Sequence, residues 1–519
     1  MSVAQELQKI VAIEQEFDVN SVTYKGLNIW PIVRFNIEYF FGHIKKDPNA
    51  LGRLRVSKKR SDATLKFSQI QSDYAQHSCA WQNILTQVSG LEHADILFFS
   101  KHENYSEKIN GKFFDRCLDS IHEQCDPQLS ALKIELDFPQ GRKKQPRFYP
   151  CIFVDPYPCL KKEALLRKCL TYSLKNLKIQ NFKGLQKVVW KHTSFYLHED
   201  QILDQLYLHE SYHKLFIDLL SIIRPRAVFL VCHYYIVAKA LVQACHELGI
   251  KTIDVQHGQG GRYHSQYAHW TRIPVSGYEL LPDFFWVWSE QCKNHLMETR
   301  PYVLGNYTHH LPVVGGNPWL SKWLDDDLGL SQEEKNFLDR LHNHKKIVLV
   351  SLQNSTFLPE LLNFLIPAMK TKRNDDDYFW LIRFHPLHRS QREVDSVLTP
   401  LQKHNIKNFD IHFSSSMPLY SLLKRCHYHV TSFSSVSYEA SVFGVKTGIV
   451  DPQQRAGYVM FKDQIQKGSF DYITSSGDII NNVYKSTRKP MIQNFSDCYI
   501  DPRPEISRDA LNRILENLS

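Results

Sequence analysis

Three short segments carry the residue types from which a reaction with a phosphate leaving group could be built. They are Gln256-His257-Gly258-Gln259-Gly260-Gly261, Arg383-Phe384-His385-Pro386 and Ser432-Phe433-Ser434-Ser435-Val436-Ser437-Tyr438-Glu439. A histidine exchanges its proton near neutrality, so His257 is a candidate general base or phosphate ligand. The glycines around it let backbone approach a ligand closely, which brings Gln256 and Gly258 into a candidate donor site. His385, on a turn fixed by Pro386 and preceded by Arg383, could donate to a phosphate. Ser432, Ser434 and Ser435 precede a predicted helix, where hydroxyls and unpaired N–H groups suit an anion. Glu439, within that helix, could reach a ribose hydroxyl or a base edge. Each residue also has an ordinary use. Serines cap helices, glycine runs make tight turns, and a lone histidine is often structural. Neither GxGxxG nor a Walker phosphate loop occurs.

Each segment follows a predicted strand, at 251–255, 379–383 and 429–431. Open parallel sheets bind ligands at the carboxyl ends of their strands. A strand at 227–232, a helix at 236–248 closed by Gly249 and the strand at 251–255 read as a βαβ unit. An earlier strand at 96–100 is followed by His102 and Glu103, two further candidate bases, and His233 sits at another strand end. Residues 112–125 read as a helix. Strands at 347–351, 379–383, 410–412, 429–431 and 447–450, with helices at 417–425 and 437–442, predict a second α/β domain. The expected organisation is a mostly helical segment at 1–90, within which Trp30-Pro31 opens one helix. A Rossmann-like acceptor domain follows at 91–325, then a nucleotide-sugar-binding domain at 326–490 and a helical tail at 491–519. The charged stretch 325–346 reads as the loop between the domains.

At 519 residues the chain is too long for one core, and 43% hydrophobic content places it among globular proteins rather than disordered ones. No apolar run reaches the roughly 18 residues of a spanning helix, and the N-terminus is too acidic for a signal peptide. Eleven scattered cysteines with no CxxC pair predict reduced thiols, a cytoplasmic setting and no zinc framework. The net charge of +9 is uneven. Residues 142–191 hold thirteen Lys/Arg against two acids, Asp155 and Glu163, and this basic insertion (142–192) reads either as a solvated helix face or as a patch for an anionic membrane surface, lipid phosphate or acidic polymer. Its leucines are spaced as in an amphipathic helix, and no nucleic-acid module occurs, so nucleic acid is not an expected partner. Asp375-Asp376-Asp377 stands before a strand on a charged turn and reads as solvated loop, so no metal and no cofactor are expected.

On these segments the chain resembles the GT-B glycosyltransferases that build bacterial surface polysaccharides, over roughly residues 95 to 490. His385-Pro386 and Ser434-Ser435 resemble the HP and SS motifs with which polysialyltransferases hold a cytidine monophosphate donor. Gln256-His257-Gly258 is similar to the histidine-glycine segment of teichoic-acid polyol-phosphate polymerases, where the histidine is the proposed base, and to segments of capsule Kdo transferases. Gly316-Asn317-Pro318 resembles the segment that ends the N-terminal domain in several GT-B enzymes. The resemblance implies two Rossmann-like domains facing across a cleft. The implied activity is metal-independent transfer of a sugar from a nucleotide-sugar donor, CMP-sugar favoured, to a glycan or lipid-linked acceptor. The product would be capsule, O-antigen or lipopolysaccharide, made at the inner face of a bacterial membrane. The acidic element that supplies the polysialyltransferase base is absent, which leaves His257, Glu103 and His102 as candidates. A CDP-alcohol-dependent polyol-phosphate transferase with His257 as base and a non-catalytic nucleotide-sugar-binding subunit are the alternatives.

Overall fold

The computed structural model describes residues 2–41, 85–86, 93–101, 107–136, 146–154, 178–298, 309–325, 327–353, 357–385, 390–487, 495 and 498–516. Two parallel sheets dominate it. The first has seven strands: β1 (Ile96–Lys101), β2 (Ala131–Leu136), β3 (Ile152–Val154), β4 (Ala227–Leu230), β5 (Lys251–Val255), β6 (Phe284–Val287) and β7 (Leu311–Val314). Their order across the sheet is β3-β2-β1-β4-β5-β6-β7, every neighbouring pair parallel. The second has six: β8 (Lys346–Ser351), β9 (Tyr378–Arg383), β10 (Phe409–Asp410), β11 (Tyr428–Thr431), β12 (Lys446–Ile449) and β13 (Phe470–Tyr472), in the parallel order β10-β9-β8-β11-β12-β13. Both orders reverse beside the first strand of the sheet, between β1 and β4 and between β8 and β11. Helices leave toward opposite faces there, which opens a crevice at the carboxyl strand ends.

Central strands such as β4, Ala-Val-Phe-Leu, are buried along their whole length because helices cover both faces. Leu215, Phe216 and Leu219 of the helix Glu199–Ile223 and Ala238, Leu241 and Val242 of Ile236–Glu247 pack on one face of the first sheet, against Leu97 and Val228. The opposite face is covered partly by the last helix, Pro504–Glu516, whose Ala510, Leu511 and Ile514 meet Phe98, Phe229 and Trp286. The chain end therefore returns from the second domain to close the first.

The helices Val3–Glu16 and Trp30–Tyr39, the latter with proline in its first turn, form a third core with Phe182, Leu185 and Trp270. The Arg34 guanidinium is buried between the Glu14 carboxylate, the carbonyls of Ser265, Ala268 and His269, and the face of Trp270. This terminal unit also meets the second domain, where Val3 N–H donates to the Arg455 carbonyl.

Some local expectations differ from the structure. Residues 112–125 hold a hairpin strand, Lys112–Phe114, and a short helix, Leu118–His122. Asn110 and Gly111, at φ 50° and 77°, turn the chain back, and Asp115 then accepts the N–H groups of Cys117 and Leu118 to start the helix late. The stretch 325–346 contains the helix Gln332–Leu341, capped reciprocally by Ser331 and Glu334. The strand expected at 410–412 ends at Asp410, because the Asp410 carboxylate caps the helix that follows.

Candidate functional site

In the second domain the crevice between β8 and β11 is held by side chains of both. Thr431 Oγ1 donates to the Ser351 carbonyl at 2.8 Å, and Gln353, just past β8, accepts the Phe433 N–H at 2.9 Å. Ser432 is thereby buried, and its Oγ has no hydrogen-bond partner among the described residues. Gly457 packs on it so closely that a Cβ there would lie 1.8 Å from the Ser432 carbonyl oxygen. The helix that follows, Val436–Val442, has only seven residues, too few for a long dipole, and its Ser437 and Tyr438 N–H groups donate to the Ser434 and Ser435 carbonyls. Ser434 Oγ accepts the Val436 N–H at 3.3 Å, whereas Ser435 makes no side-chain cap. Glu439 is 6% exposed and accepts the Tyr420 hydroxyl at 2.7 Å.

His385 is exposed just past β9, on the far side of β8 from Ser432. Arg383, half-buried, donates to the carbonyls of Ser414 and Met417 at 2.8 and 2.7 Å and so fixes the loop after β10. Pro386, His102 and Glu103 lie outside the described residues, as does most of the basic insertion.

In the first domain Gln256 sets the shape of the glycine-rich segment after β5. Its Oε1 accepts the Trp288 N–H at 2.9 Å and its Nε2 donates to the Gly258 carbonyl at 2.8 Å, so both ends of the buried amide are used. His257 is half-buried, with Nε2 3.5 Å from the Cys232 sulfur. Cys232, past β4, has φ 64°, a conformation that costs a non-glycine residue about 1 kcal/mol and persists only where surroundings enforce it. The Tyr234 hydroxyl, 3.3 Å from that sulfur, and the His233 N–H, bonded to Asp254 Oδ1, enforce it here. The turn sends Cys232 toward His257 and His233 into the core. There His233 Nδ1 pairs with Asp254 Oδ2 at 2.7 Å, and burial holds the imidazole below its usual pKa. His233 lines neither the cleft of Gln256 and His257 nor the cavity of Gln259 and Gly261.

The two crevices face each other. A cleft between the domains is lined by Gln256, His257, Asn317 and Trp319 of the first and by Tyr420 and Glu439 of the second. A Cβ built on Gly258 would lie 4.0 Å from Ser435 Oγ. The structure thus brings His257, Gln256 and Glu439 into one cleft and sets Gly258 against Ser435, while His385 stands apart on the β9 side. At the cleft's edge Gly315 lies flat on Trp286, where a Cβ would approach the ring to 2.0 Å, and the Asn317 N–H donates to the Asp501 carbonyl. Gly316-Asn317-Pro318 therefore meets the returning chain. Tyr420, Gln353 and Cys232 were not singled out by sequence. Gln353 and Cys232 each follow a buried strand, which was a usable signal, whereas Tyr420 comes from a short helix, Leu419–Leu423, with no motif. Among the described residues no three His, Cys, Asp or Glu side chains are grouped to hold a metal, and no helix is long and apolar enough to cross a membrane.

Comparison with protein-family models and with curated proteins finds no match. Solved structures do match. The UDP-GlcNAc 2-epimerase from Methanocaldococcus jannaschii aligns with a TM-score of 0.50 at 11% identity, over 81% of this chain and 99% of that one. The complex of S. aureus MnaA with UDP aligns at 0.48 and 13% identity, over 82% and 98%. UDP-GlcNAc 2-epimerase from Neisseria meningitidis bound to UDP-GlcNAc aligns at 0.44 and 12% identity, over 82% and 99%. At 11% identity the first likeness establishes the fold: a GT-B-like pair of parallel α/β domains.

Proposed function

We propose that this chain is a nucleotide-sugar enzyme, and specifically a metal-independent glycosyltransferase acting on a bacterial surface glycan. The observation that carries the reading is that the two strand-end crevices converge: His257 and Glu439 line one cleft, and Gly258 meets Ser435 across it. Doubly wound sheets place their ligands at this point.

In the proposed reaction His257 takes the proton of an acceptor hydroxyl. The freed oxygen bonds to the anomeric carbon of the donor, and the bond from that carbon to the nucleotide phosphate breaks, its electron pair leaving with the phosphate. The Ser435 hydroxyl, which makes no capping bond, lies where the leaving charge would need a donor. His385 would contribute from the β9 side on domain closure. Cys232 and Gln256 act as positioning residues for the imidazole and its loop. Among nucleotides we favour cytidine, on the His-Pro and Ser-Ser resemblance. The acceptor is then a glycan or lipid-linked glycan.

The fold supports a second reading. The neighbour at TM-score 0.50 is named a UDP-GlcNAc 2-epimerase, and the same cleft could serve epimerisation of a nucleotide sugar. Incubation with CMP- and UDP-sugars separates the two. A transferase releases nucleotide faster when acceptor is added, whereas an epimerase converts the donor to its epimer without acceptor and without nucleotide release.

We further propose an anionic bilayer as the partner of the helix Phe182–Thr193. Its Phe182, Leu185 and Val189 are buried, while Lys183, Lys187, Trp190 and Lys191 form one exposed stripe beside Tyr196. Cations with exposed aromatic rings suit a headgroup layer.

A further inference from the structure

A second cavity, of about 200 Å³, lies on the other side of the glycine-rich segment. Gln256 and His257 wall the cleft described above, and Gln259 and Gly261 wall this one. Its remaining walls come from the N-terminal helix Val3–Glu16, from Glu38, and from the second domain at Tyr438, Met460 and Asp463. Three parts of the chain that are remote in sequence thus build it together.

The lining has a definite chemistry. Tyr438 and Tyr499 stack face to face, with ring centroids 3.6 Å apart and 8° between planes. The Tyr499 hydroxyl is buried without a hydrogen-bond partner among the described residues. Such a group destabilises the fold unless something pairs with it. Gly261 presses against it, since a Cβ there would stand 2.8 Å from the hydroxyl oxygen. Three carboxylates, Glu6, Glu38 and Asp463, face the space against one guanidinium, Arg262, with His264 beside Glu38 and His295, its pKa lowered by burial, beside Asp463. Arg262 is itself paired with Glu298 at 2.7 Å and with Asp463 at 3.7 Å. That balance repels a phosphate or nucleotide. Carboxylates accept hydrogen bonds from hydroxyls, and aromatic and aliphatic walls cover C–H faces.

We infer that this cavity is a binding site for an uncharged sugar residue, held by Tyr499 and the carboxylates. Calling that sugar the acceptor rests on the transferase reading. The preference for a neutral saccharide over a nucleotide does not.

Saturation-transfer NMR with the full chain tests the site, using the methyl glycosides of glucose, galactose, mannose and N-acetylglucosamine as probes. At least one glycoside should receive saturation from the wild-type protein. Tyr499→Phe removes a hydroxyl that no described residue pairs with, so it should leave the melting temperature unchanged or raised. Glycoside affinity should fall about fivefold, the worth of one hydrogen bond. Met460→Trp, which fills the cavity from the second domain, should abolish the signal. The thermal shift given by CMP or UDP should be the same in all three proteins. Absence of transfer to every glycoside in the wild type, retention of full affinity in both variants, or displacement of the glycoside by CMP or UDP overturns the assignment. If no nucleotide shifts any of the proteins while a glycoside still binds and both variants weaken it, the donor reading fails and this site stands.

Discussion

Gly258 and Ser435 face each other across the interdomain cleft, with 4.0 Å between the place of a Gly258 Cβ and the Ser435 hydroxyl oxygen. One belongs to the loop after β5, the other to the loop after β11. An alanine at 258 would make only an ordinary van der Waals contact, so Gly258→Ala should bind nucleotide normally. Gly258→Leu projects into the cleft and should weaken binding at least tenfold, removing about 1.4 kcal/mol of ligand-induced stability at saturation. A thermal-shift series with CMP, CDP, UDP and GDP reads both. Equal shifts in Gly258→Leu and wild type would place the nucleotide elsewhere.

His257→Ala should lower turnover on the order of 100-fold while nucleotide binding is kept, as expected for loss of a general base. Loss of binding instead would make His257 a phosphate ligand. Glu103→Gln is the companion variant. If it alone abolishes turnover with binding intact, the acid is the base.

Glu14 and Arg34 form a buried pair with both side chains fully inaccessible. Glu14 also accepts bonds from Trp30 and Thr271, and Arg34 holds three carbonyls of the chain that follows the glycine-rich segment. Glu14→Gln or Arg34→Met leaves the other partner buried and uncompensated, so each should cost about 3–5 kcal/mol in urea denaturation. The double variant should cost less than the sum of the two.

His209 and His429 are both buried, and burial pushes each pKa down to about 3, from 6.5. His429 is also held between the hydroxyls of Ser351 and Thr447. Between these values the unfolded chain binds a proton that the folded chain does not, so stability rises with pH. The contribution is complete above about pH 6.5 and is lost as pH falls toward 3. Each histidine adds a slope of about 1.4 kcal/mol per pH unit within that window. Urea midpoints measured from pH 7 down to pH 4.5 should fall steeply. His429→Gln should remove about half of the share due to this pair. An unchanged slope would mean that His429 titrates normally.

Liposome sedimentation at low salt should show binding to vesicles containing phosphatidylserine and none to pure phosphatidylcholine. Replacement of Lys183 and Lys187 by glutamate together with Trp190→Ala should reduce the bound fraction severalfold, at about 1 kcal/mol for each near-surface cation. Binding that survives the triple variant would move the contact to another face.

Much of the finer structure was also written locally. Asn110-Gly111 is a hairpin signal, and Ser331-Gln332-Glu333-Glu334 is a capping box, so the hairpin and the helix Gln332–Leu341 were open to reading from sequence. The short helix Leu118–His122 was less so. Its start is set by Asp115, whose side chain could equally have faced solvent.

The sequence by itself determined the alternation of strands and helices, the two parallel α/β units, and the placing of His257, His385 and Ser432 to Ser435 after strands. Those features follow from hydrophobic periodicity and turn chemistry, which act over a few residues. Tertiary structure alone decided which strand ends meet. Strand order separates His385 from Ser432 by the width of β8, and the opposition of the two sheets carries Gly258 to Ser435 across 177 positions of chain. It also decided that His233 turns inward to Asp254 while Cys232 turns toward His257, a choice made by one left-handed residue under Tyr234. Such choices rest on packing between elements distant in sequence, and no local pattern encodes them.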